Sequence, residues 1–326
     1  VTSATSGEGA GGSVEINAGG SVTVGGAGTQ VTTATSSSGR GGDVSIAGGE
    51  ILVATGAEVS SRATNNGNAG TVSLSADTGL MVNGATVTSA ARVSRGGDVS
   101  LSAGESLDLT DAEITAAVEG GSRQGGTVMV YAPNITMDSA LVSASTGGAG
   151  DGGSVSVSGD GIAISGGSSV TTSSDGSGNA GSVSVAATGD LAVSDSVIAS
   201  SARFADGGDV ILDGGTSVRL DGSTVSASVD EGDGDGGQIV ITTPVFTAIN
   251  STVTAETGGT GDAGTVIIQG PGGAANKAPA GLVELSGSQV TTVARGDGAA
   301  GGIQISADQL LVSGSEISAT ALGAGD

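Results

Sequence analysis

The chain has 326 residues, 64 of them glycine, and it sets 33 acidic side chains against eight arginines and Lys277 for a formal charge of −24. That surplus excludes the basic footprint that nucleic acid or an anionic bilayer needs, so neither is expected as a partner. Cysteine and histidine are absent, which removes disulfides, thiolates and imidazole bases, and no run approaches the roughly 18 apolar residues of a membrane helix.

Taken in chain order, the apolar starts of short strands fall at Val14, Val44, Val72, Val99, Val128, Val155, Val183, Val210, Ile239, Val266 and Ile303. The steps between them run from 27 to 30 residues, with a single step of 37. Self-similarity at such a period marks a solenoid. A glycine stands two residues before each start, from Gly12 through Gly97 and Gly181 to Gly301. A corner that needs φ > 0, or one too crowded for a Cβ, accounts for it.

Within one repeat, Thr71–Ser75 alternates as a first strand, Leu80–Val82 as a second and Ala85–Ser89 as a third. Alternation sends Val72 and Leu74, then Leu80 and Val82, then Val87 inward. The same inward pairs recur along the chain, as in Val44/Ile46 with Ile51/Val53 and Val210/Leu212 with Val218/Leu220. Gly, Asp or Asn punctuates the second-to-third strand turn at Gly56, Gly84, Asp111, Asp195, Gly222, Asn250, Gly287 and Gly314, as turn chemistry requires. Three strands per 27–30 residues is one coil of a parallel β-helix, with right-handed coiling expected from the crossover rule. Eleven coils at about 4.8 Å make a rod on the order of 50 Å long. A single coil buries about five large side chains, roughly 8–15 kcal/mol gross, against a larger ordering cost. One coil alone does not fold; the array does.

The expected architecture is thus all-β: a right-handed parallel β-helix forming one continuous unit over residues 1–326, with an insertion over residues 270–281. The first residues, Val1–Ala4, match Val31–Ala34 of the next repeat, and the last four read as an inter-repeat loop. The chain therefore reads as an excerpt of a longer array, or as a processed protomer covered at its ends by neighbours.

Segments such as Asn68-Ala69-Gly70-Thr71-Val72-Ser73-Leu74 and Asn179-Ala180-Gly181-Ser182-Val183-Ser184-Val185 resemble the repeat region of filamentous-haemagglutinin-like exoproteins, bacterial adhesins exported by two-partner secretion. The resemblance spans essentially the whole chain. It implies export across the outer membrane, an extracellular or cell-surface location and a right-handed β-helix displayed there.

Chemistry for catalysis is sparse. Parallel β-helices also host polysaccharide lyases and hydrolases, whose sites cluster acids with Arg or Lys on adjacent coils. On the second face the outward charges are Asp108, Arg219 and Glu284, far apart along the stack. No enzyme is expected; the alternative is a carbohydrate-active β-helix enzyme. No cofactor is expected either. The acidic loop Asp230-Glu231-Gly232-Asp233-Gly234-Asp235-Gly236-Gly237, and more faintly Gly258–Asp262, suits Ca²⁺ by its hard oxygens. It lacks the nine-residue Asp repeat of the Ca²⁺-binding β-roll, so a solvated, mobile loop is the expectation. An outward Ser/Thr column on the third face, including Thr32, Thr88, Thr171 and Thr291, reads as cross-strand hydroxyl pairing, not as an ice-binding face.

One departure stands out. The outward position of the first face is commonly serine, as at Ser45, Ser73, Ser100, Ser156 and Ser184, but becomes Ile211, Val240 and Ile267 in three successive coils. Contiguous exposed apolar surface marks a contact: these three, with Leu52 and Met81 on the second face, are the candidate partner interface. Cover by the 270–281 insertion, which holds Pro271, Lys277 and Pro279, is the competing explanation. The sequence thus points to an extracellular structural or adhesive solenoid, an adhesin stalk or filament-forming segment. Its expected partners are neighbouring protomers or adjacent repeats, or a cell-surface or matrix partner.

Overall fold

The structure is a computed structural model that describes residues 1–272 and 278–323. Its strands form three parallel sheets, and each strand bonds only to the same-face strands of the coils before and after it. The first and second sheets have eleven strands each, and the third has twelve because Thr2–Thr5 precedes the first full coil. The repeat read above folds as Val72–Ala76, Gly79–Asn83 and Thr86–Ala91. Register is kept without slip: Val72 faces Val99, Leu80 faces Leu107 and Val87 faces Ile114. The inward residues make one continuous core running the length of the stack.

Two corners explain the recurring glycines, for different reasons. Entering the first strand, the corner glycines keep ordinary backbone angles. Crowding is what selects glycine there. A Cβ on Gly181 would lie against the carbonyl of Gly153, and one on Gly208 against the Gly181 carbonyl and Ser200 Oγ. The inward hydroxyls of the third sheet bond these carbonyls: Ser89 Oγ donates to Gly70 O at 2.7 Å, and Ser200 Oγ to Gly181 O at 2.6 Å. Ser61 Oγ donates to Gly42 O and accepts Gly70 N, so it ties two coils together.

The second-to-third corner is left-handed. Gly84 has φ 59°, and Asp111, Asp195 and Asn250 have φ 48°, 48° and 47°, the residue types that tolerate this region. Ser139 takes the same place at φ 56°; its Oγ donates to Gly166 O of the next coil at 3.0 Å. Just beyond this corner the stack changes character. Ala57, Ala85, Ala112 and Ala140 give way to Ser168, Ser196, Ser223, Ser251, Ser288 and Ser315. Each of these six serines donates to the carbonyl of its own turn. Four of them, Ser223, Ser251, Ser288 and Ser315, also accept the backbone N–H of the preceding serine, and Ser168 accepts that of Ala140. The result is a largely buried hydroxyl relay, continuous from Ser196 to Ser315.

Candidate functional site

Strand pairing brings the outward apolar residues of the first sheet into one column. Ser184 faces Ile211, Ile211 faces Val240, Val240 faces Ile267, and Ile267 faces Gln304. The three apolar side chains are half-buried and bounded by polar residues above and below. Of the insertion, Gly270 N donates to Ala278 O, which closes its base at the first-to-second corner. Gln269, the next outward residue along the strand, is buried. Lys277 and its neighbours over 273–277 lie outside the described residues.

The same sheet holds a second exposed spot that the serine pattern hides. Met129 stands between Ser100 and Ser156, and Tyr131 between Ser102 and Ser158. Their exposures of 44% and 56% make them the most open apolar side chains of that face. The alternation of Thr127-Val128-Met129-Val130-Tyr131 carried the signal.

On the second sheet Leu52 faces Met81, with Thr23 beyond Leu52 and Asp108 beyond Met81. They flank an open depression of about 430 Å³. Gly79 makes the notch, since a Cβ there would meet only Ser106 Oγ at 3.8 Å.

The third sheet carries charges that a search of the second face alone passes over. Arg62 and Glu58 form an ion pair at 2.7 Å on one strand, and Gln30 Nε2 donates to Glu58 from the preceding coil at 3.0 Å. Glu113 lies two coils further along the Glu58 column, beyond Thr86. Ser60 lies beneath the ion pair, its Oγ buried without closing a hydrogen bond of good geometry. Partial burial raises the Glu58 pKa, but proximity to Ser60, the hydrogen bonds and charge of Arg62, and the bond from Gln30 outweigh it and hold the carboxyl below its ordinary range. A depressed carboxylate stabilises the fold above its unfolded pKa and loses that contribution as pH falls through the lower folded value. Glu58→Gln is therefore expected to lower stability near neutral pH and to make the loss of stability with falling pH shallower than in the parent. After solvent screening the effect is on the order of 0.5 kcal/mol; circular dichroism between pH 6 and pH 2 reads it.

The acidic loops are stacked, not free excursions. Asp206 Oδ1 accepts Asp235 N at 3.1 Å, Asp235 Oδ1 accepts Asp262 N at 2.8 Å and Asp262 Oδ1 accepts Ala299 N at 2.7 Å. Thr260 Oγ1 donates to Asp233 Oδ1. Loop glycines pack coil on coil in the same way, with Gly261 against Gly234. In this ladder each carboxylate satisfies a backbone N–H of the next coil. Among the described residues no three His, Cys, Asp or Glu side chains gather in a group able to hold a metal ion. Among the same described residues no helix is long and apolar enough to cross a membrane.

No family model, curated protein or solved structure matches the chain. What the geometry offers chemically is therefore argued from its surfaces: a long polar rod with discrete apolar spots on two faces and a charged cluster on the third.

Proposed function

We propose that the protein is an exported, extracellular structural or adhesive rod, a stalk or filament segment of the kind its repeats resemble, working by contact without catalysis. The observation that carries this reading is the in-register column Ile211–Val240–Ile267 on a face whose outward position is most often serine. Three β-branched side chains gain nothing for the core from an outward position, whereas a neighbouring protomer laid along that face would bury them. Met129 and Tyr131 extend the same face toward the N-terminal end.

The test restores the serine pattern. Ile211→Ser/Val240→Ser/Ile267→Ser is expected to leave the coil stack folded while reducing lateral association at least fivefold. Sedimentation and negative-stain electron microscopy read association, and thermal unfolding reads the stack. Equal association of parent and variant would sink the assignment of this face.

The competing reading, a carbohydrate-active enzyme, draws on Glu58 and Glu113. Their backbones lie two strand spacings apart, about 9–10 Å, near the carboxyl separation of inverting glycosidases. It asks one carboxyl to be a proton donor with a raised pKa, and Glu58 is shifted the other way. Release of reducing sugar from polysaccharides by the parent and not by Glu113→Gln would favour this reading over the adhesive one.

A further inference from the structure

The arginines of this acidic chain divide into two groups. Arg40, Arg62, Arg203, Arg219 and Arg295 each close an ion pair with a nearby carboxylate. Among the described residues Arg92, Arg95 and Arg123 close none, and no side-chain hydrogen bond to a described residue holds them. All three are exposed and sit on two adjacent third-to-first loops. In a chain with 33 acids, free guanidinium groups collected in one place call for a reason.

The corner column supplies one. Backbone bonds string Asn68, Arg95, Gln124, Asp151, Asn179, Asp206 and Asp235 along it. Where the column holds Asn or Asp, the side chain accepts the next coil's N–H, as Asn68 Oδ1 does from Arg95 N and Asp151 Oδ1 from Asn179 N. Arginine has donors only, so the side-chain ladder that Asn68 begins stops at Arg95 and resumes at Asp151. Of the acids by the groove, Asp98 Oδ1 accepts Thr127 N at 2.9 Å and Asp151 Oδ1 accepts Asn179 N at 3.0 Å, while Glu119 lies on the Arg92 side. Arg95 and Arg123 are thus left exposed, with no ion pair to a described carboxylate.

Arg95 and Arg123 line an open groove of about 760 Å³ beside Asn66, Asn68 and Gln124, with Asp151 at its far end. Gly150 packs tightly against the Arg123 backbone, and Ala149 is the groove's one side chain of purely apolar character. Guanidinium forks match the two oxygens of a carboxylate. Amides beside them match hydroxyl groups, and the lack of apolar lining gives a peptide side chain little to bury. We infer that this groove binds an acidic saccharide, with a uronate carboxylate held by Arg95 and Arg123 and ring hydroxyls held by Asn66, Asn68 and Gln124. The assignment is independent of the adhesive reading, because it uses a different corner of the coil and no apolar contact.

Titration of the whole chain with an oligogalacturonate at low salt, by calorimetry, tests it. The parent is expected to bind, with affinity falling as salt is raised. Arg95→Ala/Arg123→Ala should weaken binding at least tenfold, Asp151→Asn should tighten it severalfold, and Arg219→Ala, on another face, should leave it unchanged. The substituted side chains are exposed, so equal melting temperatures are expected and are measured alongside. The inference fails if the parent does not bind, if the double variant binds as the parent does, or if neutral dextran binds equally well. Binding of dextran sulfate without oligogalacturonate likewise overturns the carboxylate assignment.

Discussion

Gly181→Ala is expected to lower the unfolding free energy by on the order of 4 kcal/mol, at the severe end for a single substitution. The new Cβ meets the Gly153 carbonyl oxygen and the backbone carbons behind it. No flexible side chain is there to yield, so the two coils must move apart. That movement strains the strand pairing that follows, where Val183 faces Val155. It also disturbs the carbonyl of Gly181 itself, which accepts both Thr172 Oγ1 and Ser200 Oγ. Gly19→Ala is the control: a Cβ there has nothing within 4 Å, and a change within about 0.5 kcal/mol is expected. Thermal and urea unfolding of the two variants measures the contrast. Similar melting points for both would mean that the corner glycines are selected for something other than coil spacing.

Phe246→Ala is expected to cost about 3–5 kcal/mol. Phe246 is fully buried and is the largest side chain in the core. It stacks between Val218 and Val283, while Ala248, two residues on, stacks between Leu220 and Leu285. The coil thus fills its share of the core with one large and one small residue where its neighbours use two of middle size. Ala248→Leu alone should overpack and destabilise by roughly 1–3 kcal/mol. Phe246→Val/Ala248→Leu restores the neighbours' arrangement and is expected to recover most of the loss. Additive losses in the double variant would show that the two positions do not share volume, contrary to what contacting residues do.

The coil was legible in the amino-acid sequence because its signals are local. Alternation in Thr71–Ser75 needs only adjacent residues to be read, and left-handed turns declare themselves through Asp111, Asp195 and Asn250. Ser139 escaped because serine is an ordinary residue that here takes an uncommon angle. The serine relay escaped for a different reason. Ser196 and Ser223 are unremarkable 27 residues apart, and become partners only once the coils are stacked. The same holds for function. Ile211, Val240 and Ile267 could be aligned from the period, since they occupy one position of the repeat. Arg95 and Arg123 occupy different positions of neighbouring loops, and the five paired arginines look no different in sequence. Their isolation depends on Asp98 and Asp151 having turned to backbone N–H groups, which composition does not disclose.

Because every strand is bonded only to the coil before and the coil after it, the inter-coil bonds lie along the long axis, which has a mechanical consequence. Tension applied between the two ends loads these layers in series, so an outermost layer can yield while those behind it stay intact. Each layer of 27–30 residues that peels away releases about 90–100 Å of extended chain in place of a rise of about 4.8 Å. A pulled rod would lengthen in near-equal steps, with larger resistance where the serine relay stitches the layers than where alanine lines the corner. Such a rod is a ratcheted shock absorber, and its stiffness is written in the side chains of one corner.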